Sequence, residues 1–140
     1  MPTRPRVLLA DDHPGVVKAF VRVLSFDCDV VGVIADGSEV AEAAARLEPV
    51  VSVVDVNLPN LNGLDVCRQI RQTNPQAKVI LITAMIDDDR IRADVLAAGA
   101  SGFFSKLAAN ELIDAIRRVW ADGCATAQAF PGDEPRAAGT

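Results

Sequence analysis

The chain has 140 residues, half of them hydrophobic and 24% charged, with a formal net charge of −5 at pH 7; this is enough for one globular domain to bury about two-thirds of its unfolded surface, and three scattered cysteines with a single histidine indicate neither a disulfide framework nor a zinc site. The negative charge argues against nonspecific nucleic-acid binding by the chain on its own. No apolar run reaches the roughly 20 residues of a membrane span, and the apolar run 7–10 stops at two aspartates instead of forming a signal peptide, so the expected address is the cytoplasm and no membrane partner is expected.

Residues 6–10 read as an apolar strand ending in Asp11-Asp12, after which His13-Pro14-Gly15 opens a helix. Pro14 suits a first helical turn, where its missing N–H would have had no intrahelical partner. Val17, Phe20, Val21 and Leu24 recur at i, i+3, i+4 and i+7, with Lys18 and Arg22 turned outward, which is an amphipathic helical stripe. Residues 30–34 read as a second strand and Asp36-Gly37 as a turn. Residues 38–47 read as a second helix with Val40, Ala43, Ala44 and Leu47 on one face, ended by Pro49.

The centre of the chain is Val50-Val51-Ser52-Val53-Val54-Asp55-Val56, between Pro49 and the turn signal Asn57-Leu58-Pro59-Asn60. A near-continuous β-branched run of this length reads as a strand buried on both faces of a parallel sheet. Asp55 stands at its carboxyl end, the side on which open parallel α/β sheets bind ligands. By position alone it reads equally as an acid that bonds the following turn.

A third helix follows, with Leu64, Val66, Cys67 and Ile70 inward and Asn74-Pro75 as its stop. Residues 79–82 form a fourth apolar strand, which ends in Thr83. Asp87-Asp88-Asp89 place negative charge at the N-terminus of a fourth helix carrying Ile91, Val95 and Ala98 and closed by Gly99. A short fifth strand, 102–104, precedes Ser105-Lys106, and a fifth helix sets Leu112, Ile116, Val119 and Trp120 on one stripe. Residues 122–140 hold glycines and prolines without an apolar period. They read as a flexible tail or a truncated interdomain linker, leaving 1–121 as the folded domain. Five strands alternating with five helices imply an α/β fold, a doubly wound parallel sheet with right-handed crossovers.

That fold collects Asp11, Asp12, Asp55, Thr83 and Lys106 at one edge of the sheet. If the first and third strands are neighbours, three carboxylates crowd together, and one stays protonated unless a cation intervenes. A hard divalent ion such as Mg²⁺ resolves the repulsion and leaves room for phosphate oxygens. Thr83 offers a hydroxyl and Lys106 an ammonium, the groups suited to a transferring phosphoryl group. Taken singly, Thr83 is an ordinary strand residue, Lys106 a surface lysine and the aspartates helix-capping acids; it is their joint placement that points to chemistry. His13 reads as a helix-start residue, with contact to the acidic site as the lesser reading.

Leu9-Ala10-Asp11-Asp12-His13-Pro14, Val54-Asp55-Val56-Asn57-Leu58-Pro59 with Asn62-Gly63, Ile82-Thr83-Ala84 and Gly99-Ala100-Ser101-Gly102-Phe103-Phe104-Ser105-Lys106 together resemble the receiver domain of two-component response regulators over residues 6–120. The resemblance implies a flavodoxin-like receiver fold with strand order 2-1-3-4-5. It implies Asp55 as phosphoacceptor from a sensor histidine kinase, a phosphotransfer protein or a small phosphodonor. It also implies Mg²⁺ bound by Asp12, Asp55 and the Asn57 carbonyl, with Asp11 acting mainly through water. Lys106 would pair with the phosphoryl group and Thr83 would move to hydrogen-bond it. Phe103 matches the aromatic whose ring changes exposure, although an aromatic on a buried strand is equally a core residue. Such a site is a switch that phosphorylates and slowly dephosphorylates itself, and is not otherwise an enzyme.

Leu107 stands where many receivers have proline after the lysine, so no cis-proline is expected there, and Met85 flanks the implied route of attacking water. The Asp-His-Pro opening and the Gly-Phe-Phe-Ser-Lys segment look most like receivers that precede a LuxR-type helix-turn-helix domain, through which alone DNA would be bound. The chain is expected to be either part of such a transcription regulator or a stand-alone receiver acting by protein contact, its signalling surface being the fourth helix, fifth strand and fifth helix, where symmetric dimers form. An aspartyl-phosphate phosphatase of the haloacid-dehalogenase type would carry Asp-x-Asp on the first strand, whereas here the two acids are contiguous. A flavin binder would want a hydroxyl-rich phosphate loop and stacking aromatics, and the chain has no tyrosine.

Overall fold

Each apolar run of the sequence becomes a strand in the computed structural model, which describes residues 4–84 and 89–122. The strands are β1 (Arg6–Ala10), β2 (Asp29–Ile34), β3 (Val51–Asp55), β4 (Lys78–Thr83) and β5 (Gly102–Ser105). The helices are α1 (Pro14–Leu24), α2 (Val40–Leu47, after a 3-10 turn at Gly37–Glu39), α3 (Gly63–Thr73), α4 (Asp89–Ala97) and α5 (Ala109–Asp122). All strand pairs are parallel and the order is β2-β1-β3-β4-β5, as the resemblance implied.

The period-2 alternation of the strands divides the interior into two cores. Leu8, Ala10, Val54, Val79, Leu81 and Phe103 pack with α2, α3 and α4 through Val40, Ala43, Val66, Ile70, Val95 and Ala98. Val7, Leu9, Val53, Ile80, Ile82 and Phe104 pack on the other face with α1 and α5 through Phe20, Leu24, Leu112 and Ile116. Full burial of each Val, Leu, Ile or Phe among them contributes about 1.5–3 kcal/mol. A one-residue slip would exchange the two faces of a strand, so the pattern pins the register and with it the position of every strand-end residue.

Several boundaries, and one residue of an inner stripe, differ from the sequence expectation. β3 is Val51–Asp55, with Val50 and Val56 just outside, their N–H groups donating to the carbonyls of Arg6 (2.8 Å) and Ile82 (2.9 Å). Helix α2 ends at Leu47 as expected but begins at Val40, after the 3-10 turn Gly37–Glu39; Glu48 caps it in the left-handed conformation (φ 51°), its N–H donating to the Ala44 carbonyl (3.0 Å). Trp120, placed on the inner stripe of the fifth helix, is 37% exposed; the buried stripe is Leu112, Ile113, Ala115, Ile116 and Val119, and Trp120 falls at its margin. α5 also includes Asp122, one residue past the expected domain end.

β2 is an edge strand, which leaves Val33 44% exposed although its run is apolar throughout. Met85, Asp87, Asp88 and residues 123–140, and hence the expected tail, lie outside the described residues. Among those described, no helix is long and apolar enough to cross a membrane and no peptide bond is cis.

Candidate functional site

β1 and β3 are hydrogen-bonded neighbours in the register Ala10↔Val54, so Asp11 and Asp55 emerge side by side from the middle of the sheet. Both are essentially fully buried, whereas the Asp12 side chain, one residue further from the strand end, is 36% exposed while still keeping a carboxylate oxygen in the same cluster. Asp55 is in register with Ile82 on β4, and Thr83, with Ser105, ends the β4–β5 ladder. The Lys106 N–H donates to the Thr83 carbonyl (2.9 Å), which carries the lysine backbone one step beyond β5. Its side chain then returns over the sheet edge: Nζ donates to Asp55 Oδ2 (2.9 Å) and lies 3.1 Å from Asp11 Oδ2.

The loop after β3 is held by its own backbone chemistry. The Asn57 N–H donates to Asp55 Oδ1 (3.0 Å) and the Gly63 N–H to the Val56 carbonyl (2.8 Å). Asn62 caps α3 by accepting the Asp65 N–H (3.0 Å). Asn60, in the left-handed region (φ 69°), donates through Nδ2 to Asp36 Oδ2 (2.8 Å), tying the β3–α3 loop to the loop after β2. Two glycines permit this closeness: a Cβ on Gly37 would stand 1.8 Å from the Leu61 carbonyl oxygen, and one on Gly63 2.3 Å from that of Asp55.

The electrostatics follow from burial. Desolvation raises the Asp55 carboxyl above its ordinary value, the nearby Asp11 charge adds to it, and the bonds from Lys106 and the Asn57 N–H oppose it. For Lys106, burial disfavours the ammonium, but the Asp55 and Asp11 carboxylates outweigh it and hold the group above the ordinary lysine value. Asp11 Oδ2 is buried and, although within ion-pairing distance of the ammonium, has no hydrogen-bond partner. An under-satisfied buried carboxylate oxygen among other carboxylates is the donor chemistry that a hard divalent cation fits. Ligand atoms of Asp11, Asp12, His13 and Asp55 all lie within 4.8 Å of one another.

The structure therefore brings together Asp11, Asp12, Asp55 and Lys106, with Asn57 engaged through its backbone N–H and Thr83 at the adjacent strand end. Phe103 is not part of this cluster: it is 0% exposed and belongs to the core on the face that α2, α3 and α4 cover. The sequence reading underrated His13. An Asx turn, in which the His13 N–H donates to Asp11 Oδ1 (2.8 Å), folds the ring back so that Nδ1 lies 3.1 Å from Asp11 Oδ1, 3.3 Å from Asp12 Oδ1 and 3.2 Å from Lys106 Nζ. The signal was the Asp-x-His spacing, since an aspartate readily bonds the backbone two residues on.

The family model of the response regulator receiver domain matches residues 7–117. The chain belongs to this family. Receiver domains are signalling switches, and this one is consistent with control by phosphorylation. GacA, a response regulator of Pseudomonas protegens, is 38% identical over 120 residues, covering 83% of this chain and 55% of GacA. The solved signal receiver domain of NarL from Mycobacterium tuberculosis superposes with a TM-score of 0.80 at 32% identity, over 87% of this chain and 99% of that one. A solved LuxR-family two-component response regulator from an Aurantimonas species gives 0.79 at 29% identity, over 89% and 90% of the two chains, in keeping with the LuxR-type resemblance of the sequence. The receiver domain spans about half the length of the curated relatives it matches, 55% in the case of GacA.

Proposed function

We propose that Asp55 is the phosphoacceptor of this receiver domain and that a sensor histidine kinase or phosphotransfer protein is its donor. The observation that carries this reading is the buried Asp55 carboxylate paired at 2.9 Å with Lys106 beside the carboxylates of Asp11 and Asp12. An Asp55 carboxylate oxygen attacks phosphorus in a phosphohistidine; the P–O bond forms as the P–N bond breaks, and the imidazole leaves as the neutral ring after taking up a proton. Lys106 neutralises charge on the phosphoryl oxygens, and the Thr83 hydroxyl donates to one of them once the group is in place. Asp12, Asp55 and the Asn57 carbonyl, with Asp11 beside them, would hold Mg²⁺, which when bound would supply further positive charge near the phosphoryl oxygens. Slow attack of water on the acyl phosphate, cleaving the P–O bond to release phosphate, resets the domain.

The phosphorylated aspartate adds negative charge and acceptor oxygens next to Thr83 and Lys106, and the reading continues from there into β5. Phe103 serves as the aromatic that follows Thr83, and the α4, β5 and α5 surface changes to control dimerisation or an output domain. The output is DNA binding by a LuxR-type helix-turn-helix in a longer cytoplasmic protein, with the receiver unit running to the end of α5 at Asp122 and the residues after it serving as a flexible tail or the start of a linker.

Intact-mass spectrometry after incubation with Mg²⁺ and acetyl phosphate tests the reading. A single phosphoryl adduct that requires Mg²⁺ and disappears in Asp55→Asn supports it. No adduct, with beryllofluoride also failing to bind the folded protein, leaves a receiver-shaped interaction module without phosphorylation control.

A further inference from the structure

The imidazole of His13 stands in a contradictory position. Its Nδ1 faces carboxylate oxygens of Asp11 (3.1 Å), Asp12 (3.3 Å) and Asp55 (3.8 Å) on one side and the Lys106 ammonium (3.2 Å) on the other. Protonated, Nδ1 directs its hydrogen at the carboxylates but meets an ammonium. Unprotonated, it accepts from Lys106 but sets its lone pair against anions. Either tautomer leaves one contact unfavourable, and a cation shared by the ring and the carboxylates removes the conflict.

We propose that His13 is a metal ligand of this site and that it moves the selectivity of the acidic cluster from Mg²⁺ toward first-row transition-metal ions, for which Ni²⁺ serves as the probe. The inference rests on the reading of Asp11, Asp12 and Asp55 as a divalent-metal site. The buried Asp11 Oδ2 makes no hydrogen bond and has only the Lys106 ammonium, 3.1 Å away, to balance its charge, a place that a metal ion can take. The separations also fit: donors about 2.1 Å from one metal lie about 3.0 Å apart when adjacent in an octahedron and about 3.4 Å apart in a tetrahedron, against the 3.1 and 3.3 Å from Nδ1 to Asp11 and Asp12. Imidazole nitrogen favours transition metals, whereas Mg²⁺ prefers an all-oxygen shell and releases water reluctantly. The ring is 56% exposed, so a hydrated ion reaches it from solvent. Lys106 touches the same donors and competes with the ion for them.

The test is calorimetric titration of the tag-free, metal-stripped chain with NiCl₂ and with MgCl₂, in the wild type, His13→Phe and Asp12→Asn. The sequence contains a single histidine, so an imidazole effect has one source. The expected result is a Ni²⁺ to Mg²⁺ affinity ratio that falls by about tenfold or more in His13→Phe. A hyperfine-shifted exchangeable imidazole proton in the NMR spectrum of the Ni²⁺-loaded wild type, absent from the variant, is expected alongside it. Loss of both ions in Asp12→Asn places them in the same site. An unchanged ratio with no shifted imidazole proton overturns the inference and leaves the carboxylate site standing, as does Ni²⁺ binding that survives Asp12→Asn. A wild-type chain that binds neither ion overturns the inference together with the metal-site reading beneath it.

Discussion

Gly63 lies so close beneath the end of β3 that a Cβ on it would stand 2.3 Å from the carbonyl oxygen of Asp55 and 2.8 Å from Cα of Val56. Neither obstacle is a flexible side chain, so the backbone that carries the carboxylate would have to move. Helix propensity alone makes Gly63→Ala stabilising, but the clash reverses the sign. The expected outcome is a loss of about 1–3 kcal/mol in urea denaturation, together with slower formation of the acetyl phosphate adduct. A variant as stable as the wild type would show that the loop is free to shift.

Asn62, next to it, gives a sharper energetic contrast. Its side chain accepts the Asp65 N–H at 3.0 Å and satisfies one of the otherwise unpaired donors at the start of α3. Asn62→Ala is expected to cost about 1 kcal/mol, and Asn62→Gly only a few tenths, because glycine tolerates the cap conformation and lets water reach the amide. Denaturation midpoints of the two variants check the order, and an alanine variant equal to glycine contradicts it.

The buried carboxyl of Asp55 gives stability a dependence on pH. Its folded-state value is raised above the ordinary 3.8, chiefly by desolvation. Below 3.8 the group is protonated in both states; between that and the raised value the folded chain holds the proton that the unfolded chain has lost. The contribution of Asp55 is therefore fully present at low pH and is lost as pH rises through the folded value. Asp55→Asn removes this loss, so its stability relative to the wild type should climb from pH 4 toward neutrality, measured by denaturation in EDTA. The raised value of Lys106 acts only near its ordinary 10.5 and above, outside that interval. A difference that stays flat with pH contradicts the assignment.

Burial also silences two of the thiols. Cys28 and Cys67 are both pushed up to about 11, each mainly by desolvation, and the Cys67 thiol donates to the Ala98 carbonyl (3.3 Å). At pH 8 only about one in a thousand of each is thiolate, which is the reactive form. In a Cys124→Ser background the folded chain should react with a thiol reagent only as fast as it opens, and denaturation should release two thiols. Rapid native reaction at either cysteine would show that its shell is loose.

What the sequence disclosed and what it withheld divide along physical lines. The strands were legible because runs such as 79–82 and 50–56 satisfy a buried parallel sheet and little else, and Asp11, Asp12, Asp55 and Lys106 were legible because strand ends share one edge. Side-chain direction was not. Whether the His13 ring folds over Asp11 depends on an Asx turn that leaves no periodic trace. The same holds for the Asn60 to Asp36 bond, which joins residues far apart in the chain. Edge position was also silent: β2 is as apolar as its neighbours, and only the sheet order explains the exposure of Val33. Trp120 was misplaced because its helical spacing puts it one step round from the covered stripe.

Phe103 and Phe104 are consecutive, yet one ring is set among the side chains of α3 and α4 and the other among those of α1 and α5. Two adjacent rings keyed into separate layers make β5 resemble an axle with a tooth on each side. It cannot rotate in one layer without straining the other, and its far end is fastened to Thr83 through the Lys106 N–H. The backbone of β5 thus joins both cores to the strand end beside the acidic edge.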